Sequence, residues 1–203
     1  LFSDLEVGLV CGNYWIKDEI DRKTTIRNKQ PTPKGWVFAE LLRKSWVGIL
    51  TVVVRKSAIE RFKKNPFDPN YHIISDYDLF IKIAMDWKFQ SVDSPVACYR
   101  RHASNETHNN RASHIVEWKR WLVAASNDSV IWNCTTFKKR KESIAYMIGM
   151  DLWSLGRYLE ALQHWWQTPF LIVKARLAVD IICYMARLYF LWAENQIRKT
   201  KDD

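Results

Sequence analysis

Ser75-Asp76-Tyr77-Asp78-Leu79-Phe80-Ile81-Lys82-Ile83-Ala84 is the stretch that decides the fold. Its apolar positions, Leu79, Phe80, Ile83, Ala84 and then Trp87, recur at helical spacing and define one buried face. One turn back along that face stands Asp76, a carboxylate at the mouth of an apolar helix, pointing inward or into a cleft. Asp78 lines up instead with Lys82, four residues on, as a solvent-side ion pair. Two compatible roles follow for Asp76. It can cap the free N–H groups of the first helical turn, or it can act as a general base on a substrate hydroxyl.

Working outward, residues 7–17 read as a strand and residues 18–35, polar with Pro31 and Pro33, as a loop. Residues 36–44 read as a helix, 49–55 as a strand, 57–64 as a short helix and 65–71 as a turn. Beyond the Asp76 helix, residues 89–92 and 96–101 read as short strands. Period-two alternation puts Val96, Cys98, Arg100 and His102 on one side and Tyr99 and Arg101 on the other. If the strand persists to its end, Arg100 and His102 face the same space. That makes Arg100 the better phosphate candidate of the two arginines. His102 itself is either a hydrogen-bonded structural histidine or a ligand.

Six short pieces between Val7 and Thr107 fall in a familiar order. They are Val7-Gly8-Leu9-Val10-Cys11-Gly12-Asn13, Gly35-Trp36-Val37-Phe38-Ala39-Glu40-Leu41-Leu42, Thr51-Val52-Val53-Val54-Arg55-Lys56-Ser57-Ala58, Phe67-Asp68, the Ser75–Ala84 segment and Tyr99-Arg100-Arg101-His102-Ala103-Ser104-Asn105-Glu106-Thr107. This order resembles the C-terminal half of family-2 glycosyltransferases, inverting enzymes with the GT-A fold. The resemblance implies that Asp76 is the catalytic base that deprotonates an acceptor hydroxyl. It implies that His102 faces the metal or the donor diphosphate, and that Arg100 and Arg101 meet the leaving diphosphate. A sugar hydroxyl attacks only once its proton is taken, and the diphosphate leaves more easily when its charge is neutralised. Two positions depart from the family pattern: Ser75 stands where an acidic residue is usual, and Lys64-Asn65-Pro66 where a glycine is common. The family's nucleotide-binding half and its D-x-D metal motif are expected upstream of this stretch. Asp76-Tyr77-Asp78 has those letters but lies at a helix start. On this reading the chain is a fragment that does not bind a nucleotide sugar tightly by itself. The divalent metal, manganese or magnesium, is then held mainly by the other half, with His102 a metal-ligand candidate from this one.

The fold class expected is α/β, a partial GT-A domain with a short mixed sheet and helices, followed by an all-α C-terminal region. Residues 1–110 form the acceptor-side half and 111–203 a helical extension. Helices are expected at 112–126, 136–150 and 156–166, where glycine and proline become rare. At 203 residues and 48% hydrophobic content the chain buries a real core and is not disordered. Its formal charge of +9 concentrates at 21–34, Lys138-Lys139-Arg140-Lys141 and Arg198-Lys199-Thr200-Lys201. That imbalance speaks of anionic partners, while each cluster alone is explained as a solvated face. Nucleic acid ranks last because no binding motif accompanies the charge. Four scattered cysteines lack zinc spacing and read as reduced, buried thiols. In residues 169–199 Arg176, Asp180, Arg187, Glu194 and Arg198 fall on one stripe of an otherwise apolar helix. Such a helix packs in a bundle or lies in a membrane interface. The leading reading is a glycosyltransferase segment that meets a nucleotide-sugar donor and a glycan or lipid-linked acceptor, cytoplasmic and peripheral on the inner face of the plasma membrane. The alternative is a noncatalytic helical module that docks on a membrane or a partner.

Overall fold

The computed structural model describes residues 2–19, 21–62, 65–102, 104–169 and 175–186. The chain divides into two compact units, residues 1–141 and 142–203. The class is mixed α/β, a small open four-stranded sheet with helices.

The first unit is organised by strand β1 (Val7–Asp18). Its first eight residues are all buried, as in a strand covered on both faces. Strand β2 (Lys23–Ile26) pairs antiparallel with the C-terminal part of β1, and β3 (Val53–Val54) pairs antiparallel with Leu9 and Val10. Strand β4 (Lys88–Arg101) runs parallel to β1 along its whole length. Since β4 occupies one edge of β1, β2 and β3 share the other. The pairing therefore mixes two antiparallel contacts with one parallel one.

Between β2 and β4 lie α1 (Phe38–Arg43), a 3-10 turn at Ile49–Thr51, α2 (Lys56–Glu60) and α3 (Ser75–Ala84). After β4 come α4 (Glu106–Asn109), α5 (Arg111–Asn127), α6 (Ser129–Asn133) and α7 (Phe137–Ser154). The core of the first unit contains Leu9, Leu41, Leu42, Phe80, Ile81, Ile83, Phe89, Trp121 and Phe137. Gly8 lets the end of α3 close on the sheet: a Cβ there would sit 2.5 Å from the Trp87 Cβ.

Residues 89–92 and 96–101, read from sequence as two strands, belong to one strand. The pairing with β1 jumps from Gly12↔Val92 to Asn13↔Pro95 and then Tyr14↔Ala97. The extra residues bulge out at Asp93 and Ser94, and Pro95 sits in the irregularity, where a missing N–H does no harm. The loop expected at 18–35 contains β2, and the strand expected at 49–55 keeps only two paired residues after a 3-10 turn.

In the second unit α7 continues, α8 (Tyr158–Gln167) follows, and residues 175–186 are helical. Ile144, Ile148, Leu152, Ala161 and Leu177 are buried there. On the expected polar stripe, Asp180 accepts a hydrogen bond from the Tyr146 hydroxyl, and the Arg176 guanidinium lies 4.3 Å from the centre of the Tyr146 ring. Arg187, Glu194 and Arg198 lie outside the described residues. Among the described residues no helix is long and apolar enough to cross a membrane.

Candidate functional site

Helix α3 is buried on more sides than its sequence pattern suggests. Tyr77, Asp78, Leu79, Phe80, Ile81, Ile83 and Ala84 are all buried. The Asp78–Lys82 ion pair forms with Nζ and Oδ2 2.5 Å apart, but Asp78 does not face solvent: it is 5% exposed. Burial pushes the Asp78 carboxyl above its ordinary range, and hydrogen bonds from Lys82 and the Trp121 indole pull it back.

Asp76 is half-buried. Its Oδ1 accepts the Tyr77 amide at 2.7 Å. Burial raises its pKa above the ordinary aspartate value, against the opposing pull of the Tyr77 amide and its own. Among the described residues no cation pairs with it.

Asp76 thus takes up amides of the first helical turn, as a cap does, while the turn before the helix is held from elsewhere. Ile74 holds the cap position and supplies no side-chain bond. Glu117 of α5, 6% exposed, reaches the turn that enters the helix. It accepts the His72 amide on Oε1 at 3.0 Å, and the Ile73 and Ile74 amides on Oε2 at 2.9 and 3.1 Å. Three successive N–H groups converge on one carboxylate, an arrangement that fixes backbone. The other support of α3 is aromatic. Tyr77 meets Trp118 and Trp121 at ring distances of 5.2 and 5.3 Å. The buried Arg140 lies 4.2 Å from the centre of the Tyr77 ring and 4.5 Å from that of Trp118. Lys141 stacks on Trp132 and Phe137. The basic run at 138–141 is thus partly an internal packing element rather than only a solvated face.

At the far end of β4, Arg100 donates to Glu19 and Arg101 pairs with Asp18 at 3.1 Å. The register sets Ile16 beside Tyr99 and Asp18 beside Arg101. Alternation then gathers Tyr14, Ile16, Asp18, Tyr99 and Arg101 on one face of the sheet, and Arg100 on the other. Strand β4 ends at Arg101, so alternation does not carry Arg100 and His102 into one space. His102 is set by a turn. Its amide donates to Asn105 Oδ1 at 2.6 Å, Asn105 Nδ2 donates to the Arg100 carbonyl, and that same amide lies 3.4 Å from His102 Nε2. Asn105 was readable only as a letter of the motif; its positioning of His102 comes from the fold.

Tyr14 is the group that links these parts. Burial raises its phenol pKa, Arg27 pulls it down, and Tyr99 and Asp76 push it up. Asp76, Tyr99 and Arg27 are therefore electrostatic neighbours of one buried hydroxyl. Gly48 makes room for it, since a Cβ there would lie 2.4 Å from Tyr14 Cε1.

Among the described residues no group of three or more His, Cys, Asp or Glu side chains is placed to hold a metal ion. His102 has an asparagine beside it, not carboxylates, and does not by itself make a metal site. Of the cysteines only Cys11 is buried; Cys98 and Cys183 are exposed, and all four are free thiols. No protein family matches the chain. No curated protein matches it either.

Proposed function

We propose that the chain is the acceptor-side portion of an inverting glycosyltransferase, a partial GT-A domain followed by a helical C-terminal region, with Asp76 as its general base. The observation that carries this is the state of Asp76. It is half-buried, lacks a cationic partner among the described residues, and has its proton affinity raised by burial. The turn that leads into its helix is fixed independently by Glu117, which accepts the His72, Ile73 and Ile74 amides. A base poised nearer neutral pH accepts an acceptor proton more readily than an ordinary aspartate. The ordered motifs from Val7 to Thr107 support the same reading.

In the reaction Asp76 takes the proton of the acceptor hydroxyl as its oxygen attacks the sugar's anomeric carbon. The bond to the nucleoside diphosphate breaks on the opposite side. Arg101, on the sheet face of Tyr14 and Tyr99, and His102, on the turn after β4, are the groups that would steady the departing charge, with Arg100 reaching it from the opposite face of the strand end. Both arginines would first have to exchange a carboxylate partner, Asp18 or Glu19, for the diphosphate. The donor is a nucleotide sugar and the acceptor a glycan or lipid-linked glycan.

The test uses the protein carrying this chain together with its nucleotide-binding half. Asp76→Asn should lower sugar transfer by about 10²–10⁴-fold while leaving donor affinity intact. Transfer at the parental rate would reduce Asp76 to a structural residue.

A second reading, a noncatalytic docking module on a membrane or partner, is favoured by the second unit. There Leu159 is 77% exposed, Trp166 82% and Ile182 66%. Large apolar side chains turned to solvent mark interaction surfaces when they cluster. On that reading the chain co-sediments with phosphatidylglycerol vesicles and salt weakens the binding. Sedimentation indifferent to phosphatidylglycerol content would remove it.

A further inference from the structure

The segment after β2 and the segment around α1 line an open cavity of about 450 Å³ in the first unit. That is within the size range of small-ligand sites. Arg27, Lys29, Arg43 and Lys44 line it, against a single carboxylate, Glu40. Trp46 closes part of the wall.

Arg27, Lys29, Arg43 and Lys44 are exposed and have no carboxylate partner among the described residues. Two features separate them from an ordinary basic surface. The first is that the wall is held in shape. Asn13 accepts the Asn28 amide and donates to the Asn28 carbonyl. The Thr32 amide and hydroxyl both reach Asp93 Oδ1, in the bulge of β4. Arg27 donates to the Ser45 carbonyl and Asn28 to that of Trp46, which joins the two walls. Like charges gathered on a fixed frame repel one another unless an anion sits among them. The second feature is the indole N–H of Trp46, 7% exposed, which has no hydrogen-bond partner among the described residues.

We propose that this cavity is a binding site for a phosphoryl group, a pyrophosphate or a phosphomonoester, held by Lys29, Arg43, Lys44 and Arg27. Guanidinium and ammonium donors together suit a phosphate's tetrahedral oxygens. The site is distinct from the arginines at the end of β4 and stands without the glycosyl-transfer reading. The phosphoryl group can belong to a soluble ligand or to a lipid headgroup.

Inorganic pyrophosphate titrated calorimetrically into the whole chain tests it. The double variant Lys29→Gln/Arg43→Gln should bind at least about tenfold more weakly. Glu40→Gln, which removes the one repelling charge, should bind more tightly than the parent. Lys119→Gln, an exposed cation of α5 away from the cavity, should stay within about twofold of the parent. All substituted residues are exposed, and matched melting curves establish that each variant is folded. The source is read with phosphatidylcholine vesicles with and without phosphatidic acid. Binding that needs phosphatidic acid and weakens in the double variant identifies a lipid-borne phosphate; binding of pyrophosphate alone identifies a soluble one. No heat of binding up to about 10 mM pyrophosphate, or a double variant that binds like the parent, overturns the proposal.

Discussion

Replacing Glu117 should unfasten the turn that launches α3, and the structure sets the size of the effect. Its carboxylate receives three backbone amides at 3.0, 2.9 and 3.1 Å. They are not equivalent. His72 is exposed and its amide gains water once the carboxylate is gone, whereas the Ile74 bond is buried. An orphaned buried donor costs about 1–3 kcal/mol. The one buried methylene of Glu117 that alanine lacks, Cγ, adds about 0.8 kcal/mol. With partial rehydration at Ile73, Glu117→Ala should cost about 2–4 kcal/mol. Glu117→Gln keeps the volume and one carbonyl oxygen but turns an amide NH₂ toward backbone donors, and should cost about 1–3 kcal/mol. Urea unfolding followed by tryptophan fluorescence reads the difference as a shifted midpoint at unchanged slope. Hydrogen exchange at the Ile74 amide gives an independent local readout, and it should accelerate in both variants. Lys119→Ala, on the same helix but exposed, is the control. A loss below about 1 kcal/mol in Glu117→Ala, with Ile74 exchange unchanged, would refute the claim that Glu117 holds this turn.

Asp76→Asn should stabilise the fold at neutral pH. Burial raises the folded-state pKa of Asp76, so the folded chain holds that proton more tightly than the unfolded chain. The penalty is absent below the unfolded value of about 3.9 and grows as pH rises through the folded one. The gain in melting temperature should therefore be larger at about pH 7 than at about pH 3, and an equal gain at both would contradict the assignment. Gly8→Ala should destabilise by about 1–3 kcal/mol, because its Cβ collides with the backbone-proximal atoms of Trp87; a neutral effect in chemical denaturation would show that α3 does not close on β1 there. Burial, with a smaller push from Asp93, raises the Cys11 thiol to about 11. At about pH 8 a disulfide reagent should label Cys98 and Cys183 quickly and Cys11 only after unfolding.

The sequence pattern carried the main elements of the first unit because their signals are local. Leu79, Phe80, Ile83, Ala84 and Trp87 are expected on one buried face; the first four are buried and Trp87 is half-buried. It failed on Asp78 for a reason rooted in packing. A single amphipathic stripe presumes a helix with one wet side, but α3 is covered around most of its circumference, and Asp78 is enclosed with Trp121 bonded to it. Strand β2 was missed because Lys23-Thr24-Thr25-Ile26 has no apolar alternation; it is an exposed edge held by backbone pairing to β1. Helix α6 carries a signal visible in the sequence: Asp128 accepts the Val130 and Ile131 amides at 2.9 and 3.0 Å, a side-chain N-cap.

Asp76 carries two demands that no local pattern separates. An aspartate ahead of an apolar run is either a cap or a reactive group. Glu117, 43 residues beyond Ile74, accepts the amides of the turn before the helix. Asp76 accepts the Tyr77 amide inside the first helical turn, so a capping role stands beside any chemical one. A half-buried carboxylate with no cationic partner among the described residues is costly to keep ionised. Asparagine at this position keeps an oxygen for the Tyr77 amide and removes the charge. Asp76→Asn therefore separates the two roles: a pure cap predicts a stabilised fold with sugar transfer unchanged in the protein that carries the nucleotide-binding half, whereas a base predicts the same stabilisation with transfer lost.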